Sequence, residues 1–178
     1  MSLFLIEATV QNGGRNKEAI EAKLDQIERK LKEQSSFLVE VQIAKDFSHI
    51  FFIVETKDAP STANVIGSEE LDVKLVKQVR LIGESLEEVK AKKDRVNYLV
   101  EWNLPEHLTM EQYLERKKKN SVYYKEVPEV TFARTYVCED MTKCLCFYDA
   151  PNQELVEKAR KAVKAPIDAI VELKQNDG

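Results

Sequence analysis

The chain carries an internal echo, and that echo limits the folds open to it more than any single motif does. Phe4-Leu5-Ile6-Glu7 and Tyr98-Leu99-Val100-Glu101 superpose at an offset of 94 residues, and the same offset brings Gln42-Ile43-Ala44-Lys45-Asp46 onto Tyr136-Val137-Cys138-Glu139-Asp140. A fixed period across two hydrophobic stretches is the mark of a repeated supersecondary unit. Periodicity within each half predicts what that unit is. Residues 3–10 are apolar and β-branched and end in the turn cluster Gln11-Asn12-Gly13-Gly14, as a strand does. From Lys17 to Gln34 the apolar positions Ala19, Ile20, Leu24, Ile27 and Leu31 recur at helical spacing with charges between them. Residues 37–44 and 50–56 read as a hairpin about the polar turn 45–49, with Asp58-Ala59-Pro60 as its stop. A weaker helix or loop over 61–71 and a strand over 73–82 complete the order β-α-β-β-α-β.

A charged helical linker is expected over 84–95, after which the order restarts at Asn97. Thr109 followed by Gln112 has the form of a capping box opening a helix over 109–125, and Asn152 to Val163 forms a second helix between Pro151 and Pro166. Ala169 to Leu173 closes the unit. The expected class is therefore α+β, a tandem ferredoxin-like (βαββαβ)x2 chain with domains 1–94 and 95–178. Each sheet would leave one apolar face without helices, a patch too large for water, so the two antiparallel sheets are expected to pack as a pseudo-dimeric α+β barrel.

Charge and composition exclude whole classes of function. Across 178 residues there are 31 acids and 27 bases, a net charge of −4, so no nucleic-acid groove is indicated. The basic run Arg116 to Lys119 reads as a solvated helix face. There is no apolar run of spanning length and no leader pattern at the N-terminus, which predicts a cytoplasmic protein without a membrane partner. The cysteines Cys138, Cys144 and Cys146 are odd in number and close together, which suits free thiols. Nucleophile elbows, phosphate loops and dinucleotide fingerprints are absent.

The second half carries a family resemblance. Tyr98-Leu99-Val100-Glu101, the helix opened by Thr109-Met110-Glu111-Gln112, residues 130–140, Cys144-Leu145-Cys146-Phe147-Tyr148-Asp149-Ala150-Pro151 and Ala165-Pro166-Ile167-Asp168-Ala169-Ile170 together resemble the bacterial domain of unknown function 4242 family. The resemblance covers roughly residues 96–174 and implies a ferredoxin-like fold, with Cys146 at the place of a Cys found before an Asp-Ala-Pro or Glu-Ala-Pro stretch; the first half looks like a diverged duplicate. Some members are described as nickel-binding through several histidines. This chain has only His49 and His107, without metal-ligand spacing, so nickel is not carried over and no cofactor is expected.

Side-chain alternation suggests a site. With a turn centred on Met141, Cys138 would oppose Cys144, Tyr136 would oppose Cys146, and Arg134 would oppose Tyr148, so that all six line one face looking into the space between the halves. The central first strand would add Glu101 or Trp102, and Glu7 in the first half. The expectation is a small-ligand cleft lined by Arg134, Tyr136, Cys146, Tyr148, Trp102 and Glu7, in a protein leaning away from catalysis. Alternatives are a barrel enzyme in which Glu101 or Tyr148 moves a proton on a small carboxylate or carbonyl compound, a soft-metal site at Cys138, Cys144 and Cys146, or a self-association module. The same residues could equally be a core ion pair, packed tyrosines and small buried thiols.

Overall fold

Strand β1 (Ser2–Val10) is the centre of the first half. It pairs antiparallel with β3 (His49–Thr56) on one side and β4 (Leu71–Ile82) on the other, and β2 (Phe37–Ile43) extends the sheet beyond β3. Helix α1 (Lys17–Glu33) starts where the Asn16 side chain accepts from the Ala19 N–H. Helix α2 (Ala59–Gly67) starts in the same way at Asp58, which accepts from Ser61. It replaces the weak helix or loop expected over 61–71. One sheet face and both helices close a dry core of Ile6, Ala8, Val10, Ile20, Ile27, Leu31, Ile50, Phe52, Val54, Val65, Ile66 and Leu71. Each large side chain buried there contributes about 2 kcal/mol of hydrophobic stabilisation.

In the computed structural model, which describes residues 1–91 and 95–175, the chain divides into the units Met1–Val79 and Arg80–Gly178. The division falls earlier than the expected boundary after residue 94, so the short helix α3 (Leu86–Ala91) belongs to the second unit. The rest of the expected linker helix, 92–94, lies outside the described residues. Gly83, with φ of 102°, makes the turn after β4 in a conformation that L side chains avoid.

The second unit repeats the order with β5 (Tyr98–Asn103), α4 (Met110–Asn120), β6 (Thr131–Cys138), β7 (Lys143–Asp149), α5 (Gln153–Ala162) and β8 (Ala169–Glu172). Its antiparallel strands lie in the order β6-β7-β5-β8, the counterpart of β2-β3-β1-β4. Thr109 and Gln112 form the expected capping box. The helix expected over 109–125 is shorter, because a 3-10 turn (Ser121–Glu126) takes over after Asn120. Among the described residues no helix is long and apolar enough to cross a membrane.

The repetition reaches the fine geometry. Ile43 faces Ile50 in the first hairpin, and Val137 faces Cys144 at the positions 94 residues on. A bulge interrupts β2 between Leu38 and Glu40, and another interrupts β6 between Phe132 and Arg134. The hairpin turns hold Phe47 and Met141 at φ of 62° and 61°.

That register corrects the expected face. The Met141 N–H bonds the Cys138 carbonyl at 2.9 Å, closing a tight turn that is not symmetric about Met141. As a result Val137, not Cys138, opposes Cys144; Thr135 opposes Cys146; Tyr136 opposes Leu145; and Arg134 opposes Phe147. The bulge then shifts the pairing again, so Phe132 opposes Tyr148. A slip of one residue exchanges the faces of a strand. Cys144, Cys146, Tyr148 and Trp102 therefore belong to the helix-covered core of the second unit, whereas Arg134, Tyr136 and Cys138 lie on the other face.

Candidate functional site

The expected ligand set is divided by that change of face. On the face away from the helices, the buried Arg134 guanidinium lies 3.7 Å from the Glu84 carboxylate and 5.5 Å over the Phe147 ring. Tyr136 meets Phe147 edge-on at 5.7 Å. Glu101 accepts from the Lys143 ammonium at 2.5 Å, an ion pair in place of the expected proton-transfer base. Glu7 lies in the first unit, paired along the backbone with Phe51 and Leu75. None of these four residues joins Cys146 and Tyr148.

The thiol triplet is divided as well. Cys144 and Cys146 are two residues apart on one face of β7, while Cys138 stands on the opposite face of β6. Among the described residues no three His, Cys, Asp or Glu side chains converge as a metal site would require. His49 and His107 are both exposed and belong to different units.

What does assemble is a polar nest under α4 and α5. Arg160, only 2% exposed, donates through Nη1 to the Cys146 sulfur at 3.3 Å and to the Tyr148 hydroxyl at 3.1 Å, and through Nη2 to the Pro166 carbonyl at 2.6 Å. The Thr135 hydroxyl donates to the same sulfur at 3.2 Å, and the Tyr124 and Tyr148 hydroxyls share a hydrogen bond of 2.6 Å. The Arg160 Nε–H has no acceptor among the described residues. A buried donor without a partner costs about 1–3 kcal/mol, so the guanidinium has bonding capacity that the fold leaves unused.

This nest borders a cavity of about 30 Å³, enough for one or two waters or a solute of a few heavy atoms. Its walls come from one face of α4 and the turn after it, with Tyr113, Arg116, Lys117 and Tyr124, and from Trp102, Cys146 and Arg160. The Arg116 guanidinium sits 5.2 Å over Trp102, and the Lys117 ammonium 4.3 Å over Phe132. Among the described residues, three cations line the cavity and no carboxylate does. Two members of the basic run expected to be solvated thus form a wall of it.

The thiols respond in opposite directions. A hydrogen bond from Cys144 holds the Cys146 thiol well below the usual range; burial opposes this, and the charges of Lys117 and Arg160 and the Thr135 hydroxyl support it. Cys144 is pushed well above that range by the same bond and by burial. Burial and the Cys146 charge likewise raise Tyr148 and Tyr113, whose phenols keep their protons. The two thiols titrate as a pair, and the surroundings favour the first ionisation at Cys146.

Sequence reasoning named Cys146, Tyr148 and Trp102, which the fold gathers on one face, and did not name Arg160, Thr135 or Lys117 as site residues. A signal existed for Arg160. It occupies a position in the stripe Val156, Ala159, Arg160, Val163, whose helical spacing makes it the one charged residue on the buried face of α5. Thr135 needed the correct strand register, and Lys117 needed the rotation of α4.

Residues 98–173 match the family described as nickel responsive protein SCO4226-like. None of the curated proteins matches the chain. A crystal structure provisionally named as a chlorite dismutase, TA0507, is 10% identical with a TM-score of 0.55, covering 98% of this chain and 96% of that one. A provisionally named monooxygenase from Lactobacillus acidophilus NCFM is 11% identical with a TM-score of 0.54, covering 98% and 94%. Another provisionally named monooxygenase, from Fusobacterium nucleatum subsp. nucleatum, is 10% identical with a TM-score of 0.50, covering 99% and 94%. At such identities the likeness is one of fold.

Proposed function

We propose that this chain binds a small anionic molecule, and that the binding site is the cavity beneath α4 and α5 of the second unit. The observation that carries this reading is a cavity wall that sets Arg116, Lys117 and the buried Arg160 around one space with no carboxylate among its described lining residues. A guanidinium presents a planar fork suited to carboxylates and other oxyanions, and burial makes its hydrogen bonds strong. The cavity volume limits the ligand to a few heavy atoms. The expected cleft of Arg134, Tyr136 and Glu7 is set aside, since Arg134 faces Glu84 on the other side of the sheet.

Nickel forms no part of this reading. The matched family is described as nickel responsive, but the donor set here is two thiols beside cations, with the two histidines apart and exposed. We also infer that the two βαββαβ units descend from a tandem duplication, which is supported by the shared strand order, bulge position and turn conformation. Their association as a pseudo-dimeric α+β barrel remains the expectation stated from the sequence.

Trp102, the sole tryptophan, lines the cavity and reports its occupancy. Titration with formate, acetate and inorganic phosphate should give a saturable change in Trp102 fluorescence for at least one of them. Lys117→Ala should weaken that response about tenfold, the equivalent of one charge-assisted hydrogen bond. Linear or absent responses to all three anions would contradict the proposal.

A further inference from the structure

We propose that the second unit carries a docking surface for an anionic lipid bilayer: the exposed Val122 and Tyr123, at the turn after α4, enter the headgroup layer, and the lysines around them meet the lipid charge. None of the six residues that form this surface lines the cavity, so it stands whether or not the cavity binds an anion.

Charge sets this segment apart from the rest of the chain. Between Arg116 and Lys125 lie five of the 27 bases and none of the 31 acids, in a chain whose net charge is −4. Glu115 and Glu126 flank it. A single sign of charge concentrated in this way draws an anionic partner and repels a cationic one. Arg116 and Lys117 border the cavity, whereas Lys118, Lys119 and Lys125 are exposed. The fold adds Lys164 from the end of α5: its ammonium lies 5.5 Å over the Tyr123 ring, and its carbonyl accepts from Arg116 at 2.7 Å.

The turn decides what stands among these charges. A 3-10 turn has three residues per turn, so side chains three apart share a side. Ser121 and Tyr124 take the inner side, where both border the cavity and the Tyr124 hydroxyl shares its hydrogen with Tyr148. Val122 and Tyr123 are thereby left outward, 57% and 36% exposed. Lys118 and Lys119 stand four residues before them. Among the described residues five large apolar side chains are exposed, and these two alone are neighbours in the chain.

One exposed apolar residue needs no explanation, but an apolar pair ringed by lysines has the chemistry of a bilayer surface. There the valine reaches the acyl boundary, the tyrosine ring sits at headgroup level and the ammonium groups meet anionic lipids. A nucleic acid fits less well, since an isopropyl group neither stacks on bases nor bonds to phosphate. Adsorption of this kind needs no spanning helix. The expectation of no membrane partner rested on spanning and leader segments and does not reach it.

The test is sedimentation of the purified full chain with vesicles of phosphatidylcholine alone and of phosphatidylcholine with about 30% phosphatidylserine. The expected result is binding at least about tenfold stronger to the phosphatidylserine vesicles, lost at about 0.5 M salt, where screening acts within a few ångströms. Lys118→Ala and Lys119→Ala should each weaken it about fivefold, the effect of one lysine near an anionic leaflet. Val122→Ser should weaken it about fivefold as well, through lost apolar contact. The comparison of vesicles uses the unaltered chain, and all three substitutions fall on exposed side chains. No preference for phosphatidylserine would overturn the proposal. So would undiminished binding by Val122→Ser, which would mean adsorption by charge alone, or capture by polyglutamate, a stand-in for an acidic protein, in preference to the vesicles.

Discussion

The two units place different side chains on one backbone frame. In the first, Val41 opposes Phe52 across the hairpin, and Ile66 of α2 is fully buried in the same core. In the second, the positions 94 residues later hold Thr135, Cys146 and Arg160. Three apolar residues in contact with a dry core thus correspond to a hydroxyl, a thiol and a guanidinium, with the hydroxyl and the guanidinium both donating to the sulfur. The covering helix differs in step: α1 runs over 17 residues with Ile20, Ile27 and Leu31 inward, whereas α4 ends after 11 and presents Tyr113. The comparison teaches that the fold does not require the polar nest. The first unit closes the same frame without one.

The largest expected effect comes from forcing one unit to imitate the other. Ile66→Arg would bury a guanidinium among Ile20, Phe52 and Leu71 without the sulfur, hydroxyl or carbonyl partners that Arg160 has, and should destabilise the chain by about 4 kcal/mol in urea denaturation. A cost near zero would mean that the first unit's core is as adaptable as the second's.

Removing the cation from the second unit should cost somewhat less. Arg160→Ala leaves the Cys146 sulfur, Tyr148 hydroxyl and Pro166 carbonyl short of a donor and opens a void, a loss of about 3 kcal/mol. Arg160→Met fills the void yet leaves the same sulfur, hydroxyl and carbonyl without a donor, and should cost about 2 kcal/mol. Equal losses for Ala and Met would show that the polar contacts, not the filled volume, dominate.

The smallest effect should be the same in both units, which sharpens the contrast. Asn16→Ala removes the cap of α1 and Thr109→Ala half of the capping box of α4, each about 1 kcal/mol. A much larger loss at Thr109 would indicate that the second unit's frame itself depends on α4 in a way the first does not depend on α1.

Sequence pattern revealed the frame and obscured the site, for the same physical reason. Hydrophobic periodicity reports which faces are buried, and the repeat at 94 residues carried the element order, the capping box at Thr109 and the hairpins. It does not report register. A symmetric turn about Met141 and an asymmetric one differ by a single residue, and the positive φ that selects between them sits on a methionine, not on a glycine that would have announced it. The bulge beside Ala133 is equally silent in composition. Hence Arg134, Tyr136 and Cys146, which sequence alternation grouped, lie on two faces. Arg160 was detectable in principle, because a charge in the middle of an apolar helical stripe needs a partner. Its partners, Cys146, Tyr148 and Pro166, lie within 14 residues of it.

The pH response follows from the two thiols. A thiol whose folded value is depressed contributes stability above its unfolded value of about 8.5, and that contribution is lost as pH falls through the folded value. Cys146 acts in this sense. Cys144, raised, acts in the opposite one, removing stability as pH rises above the unfolded value. Stability should therefore climb with pH toward the ordinary thiol range and decline beyond it. The groups facing the pair are Lys117, Arg160, Thr135, Tyr113, Tyr124 and Tyr148; the cations favour the early ionisation, and the phenols hold their protons throughout.

The measurement that bears most directly on the central claim, a charged sulfur held in the second unit's cavity, is the ultraviolet absorbance of thiolate followed across pH in the native chain and in Cys146→Ser. The account predicts one of the three thiols ionising well below the usual cysteine range, and the loss of that step alone in the variant. Three thiols that all titrate within or above the ordinary range would contradict it.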